Sequence, residues 1–333
     1  MKLAIHNTAD TFSDRWIDYC EREGIPYKIV DCYKNDIIQQ LQDCDGLMWH
    51  FHHASARSVL FAKQLMYSVA KMGLKTFPDF NTSWHFDDKV GQKYLLEAIG
   101  APMVPSYVFY TKTEVLDWIN SNRFPKVFKL RGGAGSANVQ LATSKQEAIG
   151  LVEQAFGKGF KQFDGWGNFK ERLRKFRKGK TSFFEVSKGF ARIFYTTEFA
   201  KVAGREKGYV YFQDFIDNND CDIRVVVIGG KAFAIKRMTR DNDFRASGSG
   251  SIFYDQELFD LETIRLSLDI TKKLGAQCLA YDFVYQDGKP LIIEISYGYA
   301  NKGYEDCPGY WDQDLVWHQG SFVSQNWMVD LMR

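Results

Sequence analysis

The chain lacks the long apolar runs and the leader pattern that mark membrane-spanning and exported proteins. It contains no stretch of about 18 apolar residues, which argues against a membrane-spanning helix. Residues 1–10 resemble a strand rather than a basic segment followed by an apolar core. We therefore expect neither a membrane span nor a signal peptide.

Cysteines are few and scattered along the chain. The 6 cysteines form no C-x-x-C pair, which argues against zinc-finger and thioredoxin-like motifs. Isolated cysteines of this kind are most simply explained as reduced thiols. This predicts a cytoplasmic protein.

Net charge and proline are also low. The 43 Lys and Arg residues against 41 Asp and Glu leave a net charge of +2, which provides no overall basis for nucleic-acid binding. Only 7 prolines accompany an aromatic content of 16%, so a low-complexity or linker-dominated chain is excluded. A length of 333 residues exceeds one compact core and predicts two or three domains.

The first 80 residues alternate between strand-like and helix-like segments, which predicts a parallel sheet covered by helices. Such a sheet binds ligands at the carboxyl ends of its strands. His50, His52 and His53 follow the third predicted strand at this edge. They either contribute to a substrate pocket, as binding groups or as a general base, or form a polar strand end without chemistry.

A glycine-rich run follows a strand predicted at 124–130. It comprises residues 131–136 (RGGAGS) and leads into a paired strand at 139–141. Backbone amides of such a run, together with Lys129, suit an anion. The run matches neither a Walker A loop nor G-x-G-x-x-G, and on these residues alone a plain hairpin turn is the simpler interpretation.

Two carboxylates, Asp282 and Glu294, lie in apolar strands on either side of a turn predicted at Asp287-Gly288. Buried carboxylates cost free energy unless they are compensated. Hairpin pairing would bring the two together, where they could share a divalent cation through oxygen ligands. Alternatively, each pairs with an arginine or lysine from a neighbouring strand, and the two residues alone favour neither arrangement.

Positive charge and aromatic side chains are each concentrated in particular segments. Residues 157–208 contain 14 Lys and Arg against 5 Asp and Glu, which suits either an anionic substrate or a solvated helix face. A second basic stretch, 236–245, either recognises phosphate or carboxylate or forms a solvated loop. The aromatic tail after Ser296 either shapes an acceptor pocket or packs back on the sheet.

Taken in order, these segments resemble the ATP-grasp enzymes, and most closely their carboxylate–amine ligases that add glutamate or similar amino acids, as in ribosomal-protein modification. The resemblance covers about residues 81–296 and rests on five separated motifs. These are Asp88-Lys89, FPKVFKLRGGAGS (124–136), YFQDFIDNNDCDIRVVVIGGKAFAIKR (211–237), RDNDFRASGSG (240–250), and the strand pair AYDFVY and LIIEIS.

The resemblance implies a fold of mixed α/β and α+β class. An N-terminal open parallel-sheet domain, residues 1–80, would precede an ATP-grasp fold of two α+β subdomains with the nucleotide between them. The first subdomain, 81–208, would carry the glycine-rich lid and the basic insertion. The second, 209–333, would carry the metal site and the aromatic tail.

The resemblance also implies roles for individual residues. Lys89 and Lys129 would contact phosphates, residues 132–136 would form a lid, and the backbone of 213–216 would bind adenine. The implied ATP-binding residues are Lys89, Lys129, Gly132, Gly133, Ala134, Gly135, Ser136, Gln213, Asp214, Phe215, Ile216 and Asp222. The implied catalytic arginines are Arg245, near the transferred phosphate, with Arg237 and Arg240.

Asp282 and Glu294 match two ligands for Mg²⁺, with Mn²⁺ as an alternative ion. The family usually has E-x-N here, whereas this chain has Glu294-Ile295-Ser296. A serine hydroxyl is a shorter and weaker ligand than an asparagine carbonyl, so the resemblance leaves the second metal site altered or missing.

The activity implied by the resemblance is an ATP-dependent carboxylate–amine ligase that forms an amide through an acyl phosphate and releases ADP and phosphate. Its substrates would be a small-molecule carboxylate and amine, or an anionic or sugar-linked carrier, without nucleic acid or a membrane span. The alternatives are a phosphotransferase of the same fold and a nucleotide-binding protein with impaired catalysis. Homo-oligomerisation is left open.

Overall fold

The structure is a computed structural model that describes residues 1–53, 55–133, 138–161, 173, 176, 204–239, 244–246 and 250–333. The chain divides into two compact units. Unit 1 comprises residues 1–52, 59–104 and 216–333, and unit 2 comprises residues 53–58 and 105–215. The chain therefore passes from unit 2 to unit 1 directly after Phe215.

The N-terminal part of unit 1 contains the predicted parallel sheet. Its four strands pair in the order β2-β1-β3-β4, all parallel, so the expected α/β architecture is confirmed. The strands are β1 (Leu3–His6), β2 (Tyr27–Val30), β3 (Gly46–Trp49) and β4 (Lys75–Phe77). The helices are α1 (Phe12–Arg22), α2 (Ile37–Gln40), α3 (Ala56–Lys71), α4 (Phe80–Ser83) and α5 (Lys89–Ala98).

Side-chain caps define where these helices begin. The Thr11 hydroxyl accepts a hydrogen bond from the backbone of Ser13 at the start of α1. In α5, the Asp88 carboxylate accepts a hydrogen bond from the Gly91 amide at 2.9 Å. A cap at Asp88 fixes the orientation of the first turn, which carries Lys89.

The C-terminal part of unit 1 contains a larger sheet of seven strands. Its main path is β15-β14-β11-β12-β16-β17, with β13 paired to β12. These strands are β11 (Cys221–Ile228), β12 (Lys231–Met238), β13 (Ile252–Phe253), β14 (Cys278–Gln286), β15 (Lys289–Ser296), β16 (Gly309–Trp311) and β17 (Trp317–Gln319). The helices here are α8 (Leu261–Leu274) and α9 (Ser324–Asp330), numbered after two helices of unit 2.

Both predicted hairpins of this sheet are present as antiparallel pairs. Strands β11 and β12 join through Gly229-Gly230, and β14 and β15 join through Asp287-Gly288. All four turn residues have positive φ, between 51° and 81°. Positive φ at both central residues is what a two-residue type I′ hairpin turn requires.

Unit 2 is a four-stranded sheet with its own core. The order is β5-β10-β6-β7, and β6 and β7 pair antiparallel around the glycine-rich run, as predicted. Its elements are β5 (Ser106–Phe109), α6 (Lys112–Ser121), β6 (Lys126–Lys129), β7 (Val139–Ala142), α7 (Lys145–Phe156), β8 (Phe160–Lys161), β9 (Arg205–Glu206) and β10 (Val210–Asp214). Helices α6 and α7 and strand β5 were not predicted from the sequence.

The described residues contain neither a membrane-spanning helix nor a disulfide bond. Within the ranges given above, no helix is long and apolar enough to cross a membrane. All six cysteines are free thiols. Burial raises the pKa of several of them, to about 11 for Cys20 and Cys221, so these thiols are inert near neutral pH. The domain boundaries at residues 81 and 209 stay a prediction.

Candidate functional site

The β14–β15 hairpin brings the two predicted carboxylates together. Asp282 and Glu294 are direct cross-strand partners, and Ser296 lies opposite Ala280 on the same face. A β-bulge lies between the Asp282 and Phe283 pairs, because the register passes from Glu294 opposite Asp282 to Ile292 opposite Phe283, with Ile293 as the extra residue. In a regular register Ile293 would face Asp282 and Glu294 would point to the other face. The bulge therefore places both carboxylates on one face.

Asp282 is held by two arginines from neighbouring strands. Arg224 of β11 donates from Nε to Oδ1 at 2.5 Å and from Nη2 to Oδ2 at 2.6 Å. Nη2 of Arg237 on β12 lies 3.0 Å from the same Oδ1. Arg237 also donates two hydrogen bonds to Asp222, at 2.7 and 2.6 Å. These four residues, Asp222, Arg224, Arg237 and Asp282, form a charge quartet whose formal charges cancel and of which only Arg224 is partly exposed.

Electrostatics within the charge quartet differ between its two acids. Burial alone would raise the pKa of Asp282, but the guanidinium groups of Arg224 and Arg237 hold it well below its usual range. For Asp222, burial and the nearby Asp282 carboxylate raise the pKa against the opposing effect of Arg237. Of the two acids Asp282 therefore has the lower pKa, and its arginine partners keep its carboxylate ionised.

Glu294 and Ser296 have different partners. Nζ of Lys89, a buried residue at the start of α5, lies 3.6 Å from Oε2 of Glu294. The Ser296 hydroxyl donates to the Gly298 carbonyl at 2.8 Å and accepts from the Gly298 amide at 3.2 Å. Each predicted carboxylate is thus paired with a cation, as the alternative interpretation required, and the two also lie opposite each other.

This donor set fits a magnesium ion better than a transition metal. Asp282, Glu294 and Ser296 offer only oxygen, and Mg²⁺ typically takes one or two protein carboxylates with waters and phosphates. Among the described residues no group of three or more His, Cys, Asp or Glu side chains could hold a metal. The arrangement therefore suits a cation that arrives with a phosphate ligand rather than one caged by protein alone.

Unit 2 carries the remaining predicted nucleotide contacts on strands β6 and β10. Nζ of Lys129, a buried group, donates to Oε1 of Gln213 at 2.6 Å. Oδ1 of Asp214 accepts from Lys126 at 2.5 Å. Gln213 and Asp214 end β10, and Phe215 and Ile216 follow that strand at the passage from unit 2 to unit 1. The segment predicted to bind adenine, 213–216, therefore includes the passage from unit 2 to unit 1.

Several predicted site residues fall partly or wholly outside the described part of the chain. Gly132 and Gly133 are described, and Gly133 has a φ of 110°, which favours glycine. Ala134, Gly135, Ser136 and Arg240 lie outside it, as does most of the basic insertion. Arg245 is described and half-buried. Roles for these residues stay predictions.

His50 lies at the carboxyl end of β3, where the sequence predicted a ligand edge. It is buried, its ring stacks on Phe12 with centroids 3.7 Å apart, and its Nδ1 accepts from the Phe12 amide at 3.1 Å. In the neutral imidazole the hydrogen is therefore on Nε2. A Cβ on Gly298 would lie 3.6 Å from that Nε2, so His50 is adjacent to the end of the Glu294 strand. His52 is half-buried and His53 is exposed.

The aromatic tail packs largely within unit 1. Tyr297, Tyr299, Tyr304 and Trp311 are buried, and the Tyr297 hydroxyl donates to the Phe51 carbonyl. Lys231 lies 4.8 Å from the Trp327 ring centroid, in a cation–π contact. These contacts match the prediction of a tail that packs back on the sheet.

Arg224 is a member of the site that sequence reasoning missed. It lies two residues after Asp222 on β11 and faces Asp282 in the register of β11 with β14. The spacing D-x-R within an apolar strand was the available signal, because residues i and i+2 share a face. That pattern becomes informative only once the strand order β14-β11-β12 is known.

Comparison with known families and structures agrees with this arrangement. Residues 198–309 match a RimK-like ATP-grasp domain. A comparison with curated protein sequences finds no significant match.

Three solved structures illustrate the similarity of fold. D-cycloserine synthetase DcsG is 15% identical with a TM-score of 0.58, covering 100% of this chain and 99% of its own. D-alanine–D-alanine ligase from Bacillus anthracis, complexed with ATP, is 14% identical with a TM-score of 0.53, covering 91% and 90%. The ATP-grasp ligase PsnB, complexed with a minimal precursor, Mg and ADP, is 11% identical with a TM-score of 0.55, covering 99% and 96%. This chain therefore has the ATP-grasp fold, and its residues 198–309 are similar to a RimK-like ATP-grasp domain.

Proposed function

We propose that the protein is an ATP-dependent carboxylate–amine ligase. The observation that carries the proposal is the opposed pair Asp282 and Glu294, set on one face by a bulge inside the RimK-like domain. Positively charged partners, Arg224, Arg237 and Lys89, surround this pair. A site with two carboxylates and several cations suits a phosphate–magnesium complex better than a neutral ligand.

The ATP-binding roles implied by the resemblance are assigned residue by residue. Lys129 and Lys89 would contact phosphates, residues 132–136 would cover them, and the backbone of 213–216 would bind adenine. Support comes from the buried position of both lysine ammonium groups, each held near a polar partner, Gln213 and Glu294 respectively.

Asp282, Glu294 and Ser296 are assigned to magnesium. Bound there, magnesium would neutralise charge on the phosphates and orient them for in-line attack. Solved relatives that bind ATP, or ADP with Mg, support this assignment. Because Asp282 is paired with Arg224, metal binding would free that guanidinium for a phosphate oxygen.

The reaction would proceed in two steps. A substrate carboxylate oxygen would attack the γ-phosphorus, forming an acyl phosphate and breaking the bond to the departing ADP. Arg245, Arg237 and Arg240, together with Arg224, would neutralise the developing charge. An amine would then attack the acyl carbon, lose a proton and expel phosphate, giving an amide. Exclusion of water during this interval would prevent hydrolysis of the acyl phosphate.

The acid and amine are assigned only by class, as small molecules or groups on an anionic carrier. His50, with His52 and His53, is the proposed contact for one of them. In a neutral His50 the hydrogen is on Nε2, and this nitrogen lies beside the end of the Glu294 strand. A cytoplasmic location remains part of the proposal because it supplies ATP and keeps thiols reduced.

A panel of acids and amines, read by phosphate release and followed by mass spectrometry of the product, tests this function. A ligase releases phosphate only when both a matching acid and an amine are present, and the product mass is that of an amide. ADP formation with an acid or alcohol alone, giving a phosphorylated product, identifies a phosphotransferase instead. Tight ATP binding without turnover over the whole panel identifies a nucleotide-binding protein.

A further inference from the structure

Strand β15, which carries Glu294, lies at the edge of its sheet, so alternate backbone amides point away from β14. The Ile292 amide donates to the Pro102 carbonyl at 2.9 Å, and the Ile292 carbonyl accepts from Val104 at 2.9 Å. The next outward amide is that of Ile295, three residues later instead of two. The odd spacing is a direct consequence of the bulge at Ile293.

A single side chain, that of Gln92, takes up this second amide. Oε1 of Gln92 accepts from the Ile295 amide at 3.2 Å, and Nε2 of Gln92 donates to the His85 carbonyl at 3.1 Å. Gln92 is 5% exposed and Ile295 is 1% exposed, so water has little access to the Ile295 N–H and would not readily replace the Gln92 side chain as its acceptor. A buried backbone N–H left without a partner costs about 1–3 kcal/mol in general.

Helix α5 therefore contacts β15 at two successive residues. Lys89 and Gln92 lie three residues apart, on one face of the helix. Lys89 reaches the Glu294 carboxylate, and Gln92 reaches the backbone of Ile295. The first contact is an ion pair with the Glu294 side chain, whereas the second holds the backbone of the strand that carries Glu294.

We infer that Gln92 is a positioning residue that fixes the bulge at Ile293 and thereby holds Glu294 opposite Asp282 for metal binding, an inference that rests on the proposed function. A bulge can move along a strand if the extra residue is accommodated elsewhere. Were it to move past Glu294, Ile293 would take the position opposite Asp282. The hydrogen bond to Gln92 forms only when the Ile295 N–H points away from β14. It therefore favours the register in which Glu294 lies opposite Asp282.

The test compares Mg²⁺-dependent ADP binding by calorimetry in Gln92→Met and in a matched control. Methionine keeps the length of glutamine but accepts no hydrogen bond of comparable strength. We expect Q92M to raise the Mg²⁺ concentration needed for tight ADP binding about tenfold, as for other groups that orient metal ligands, with metal-free ADP binding unchanged. Hydrogen exchange over 289–296 should rise in the same variant.

Gln277 provides the control because its amide makes the same kind of bridge elsewhere in unit 1. Its Oε1 accepts from Asp79 at 2.8 Å and its Nε2 donates to Thr76 at 3.0 Å. We expect Gln277→Met to lower thermal stability without changing the Mg²⁺ requirement. Equal Mg²⁺ requirements in Q92M and Q277M would overturn the role inferred for Gln92 but leave the proposed function unaffected.

A second variant covers the case in which Q92M does not fold. Gln92→Glu keeps an oxygen that can accept from Ile295, and because burial favours the protonated carboxyl group, its O–H can donate to the His85 carbonyl. The Mg²⁺ requirement of Q92E should therefore stay near that of the wild type. A Q92E requirement raised about tenfold, as predicted for Q92M, overturns the inference. Wild-type protein that binds ADP no more tightly with Mg²⁺ overturns the proposed function, and the inference with it.

Discussion

At the scale of single residues, the charge quartet around Asp282 is the feature with the largest energetic consequence. Asp222, Arg237 and Asp282 are buried, Arg224 is partly buried, and the two arginines balance the two acids. Removing one member leaves a buried charge with less compensation than it needs, which is far more costly than losing an exposed ion pair. The charge quartet should therefore tolerate paired replacement better than single replacement.

We predict that Arg224→Met lowers the free energy of unfolding by about 3 kcal/mol, because Asp282 then keeps only Arg237. The double variant Arg224→Met with Asp282→Leu should recover more than half of that loss. Urea unfolding followed by tryptophan fluorescence measures both. Additive losses in the double variant would show that the two side chains are not energetically coupled.

His85 provides a pH-dependent prediction. It is fully buried, both of its ring nitrogens are without a hydrogen-bond partner, and burial, aided by Lys63, lowers its pKa to about 3. The unfolded chain binds a proton at its usual pKa of about 6.5, so stability from His85 is complete above that pH and is lost as the pH falls toward 3.

We predict that the stability difference between wild type and His85→Phe shifts by about 2 kcal/mol against the wild type between pH 7.5 and pH 5. Phenylalanine keeps an aromatic ring but cannot bind a proton. Urea unfolding at the two pH values measures the difference. A constant difference would contradict the lowered pKa of His85.

The carboxylates of the site could be predicted from sequence, whereas the cations with which each of them pairs could not. Asp282 and Glu294 stand out because acids in apolar strands are unusual, and the turn between them indicated pairing. The partners Arg224 and Lys89 come from β11 and α5, which are distant in sequence. Long-range pairing of this kind depends on sheet order, which local patterns do not encode.

At the scale of elements, the hairpin turns are where a local sequence signal determines structure most directly. Asp287-Gly288 and Gly229-Gly230 were predicted as turns and form them with positive φ throughout. An L-residue with a Cβ is strained in this region even when space is available. Substitution there should cost free energy for a backbone reason alone.

We predict opposite effects for two Gly→Ala changes, each in open space. Gly288 has a φ of 75° and no atom within 4 Å of an added Cβ, so Gly288→Ala should destabilise the protein by about 1 kcal/mol. Gly150 lies inside α7 with the same free space, and Gly150→Ala should stabilise it by about 0.5–1 kcal/mol. Thermal unfolding compares the two, and effects of equal sign would contradict the turn geometry.

Elements with clear periodicity or clear stop signals were predicted closely. Helix α8 runs over the expected residues 261–274, because Asp260 caps its start and Gly275, with a φ of 60°, ends it. Helices α6 and α7 also have caps, at Thr111 and Ser144, but neither helix was predicted from the sequence. The bulge at Ile293 had no visible signal, because nothing in LIIEIS distinguishes a bulged strand from a regular one.

At the scale of the whole molecule, unit 1 joins the two ends of the chain in one core. Leu3 and Phe12 share a hydrophobic cluster with Phe233, Met328 and Met332. Sequence patterns predicted the parallel sheet and the later hairpins separately, and the ATP-grasp resemblance ordered them. Distant segments share a core when their buried surfaces are complementary. The sequence of a single segment does not show which other segment it will pack against.

The most direct test of the proposed activity measures ADP and amide together in wild type, Lys129→Ala and Glu294→Ala, once the panel has identified an acid and an amine. Wild type should form ADP and amide in equal amounts, and only with Mg²⁺ present. Both variants should lose turnover, because one lacks a phosphate contact and the other a metal ligand. Near-normal ADP release by either variant would contradict the assignment of this site.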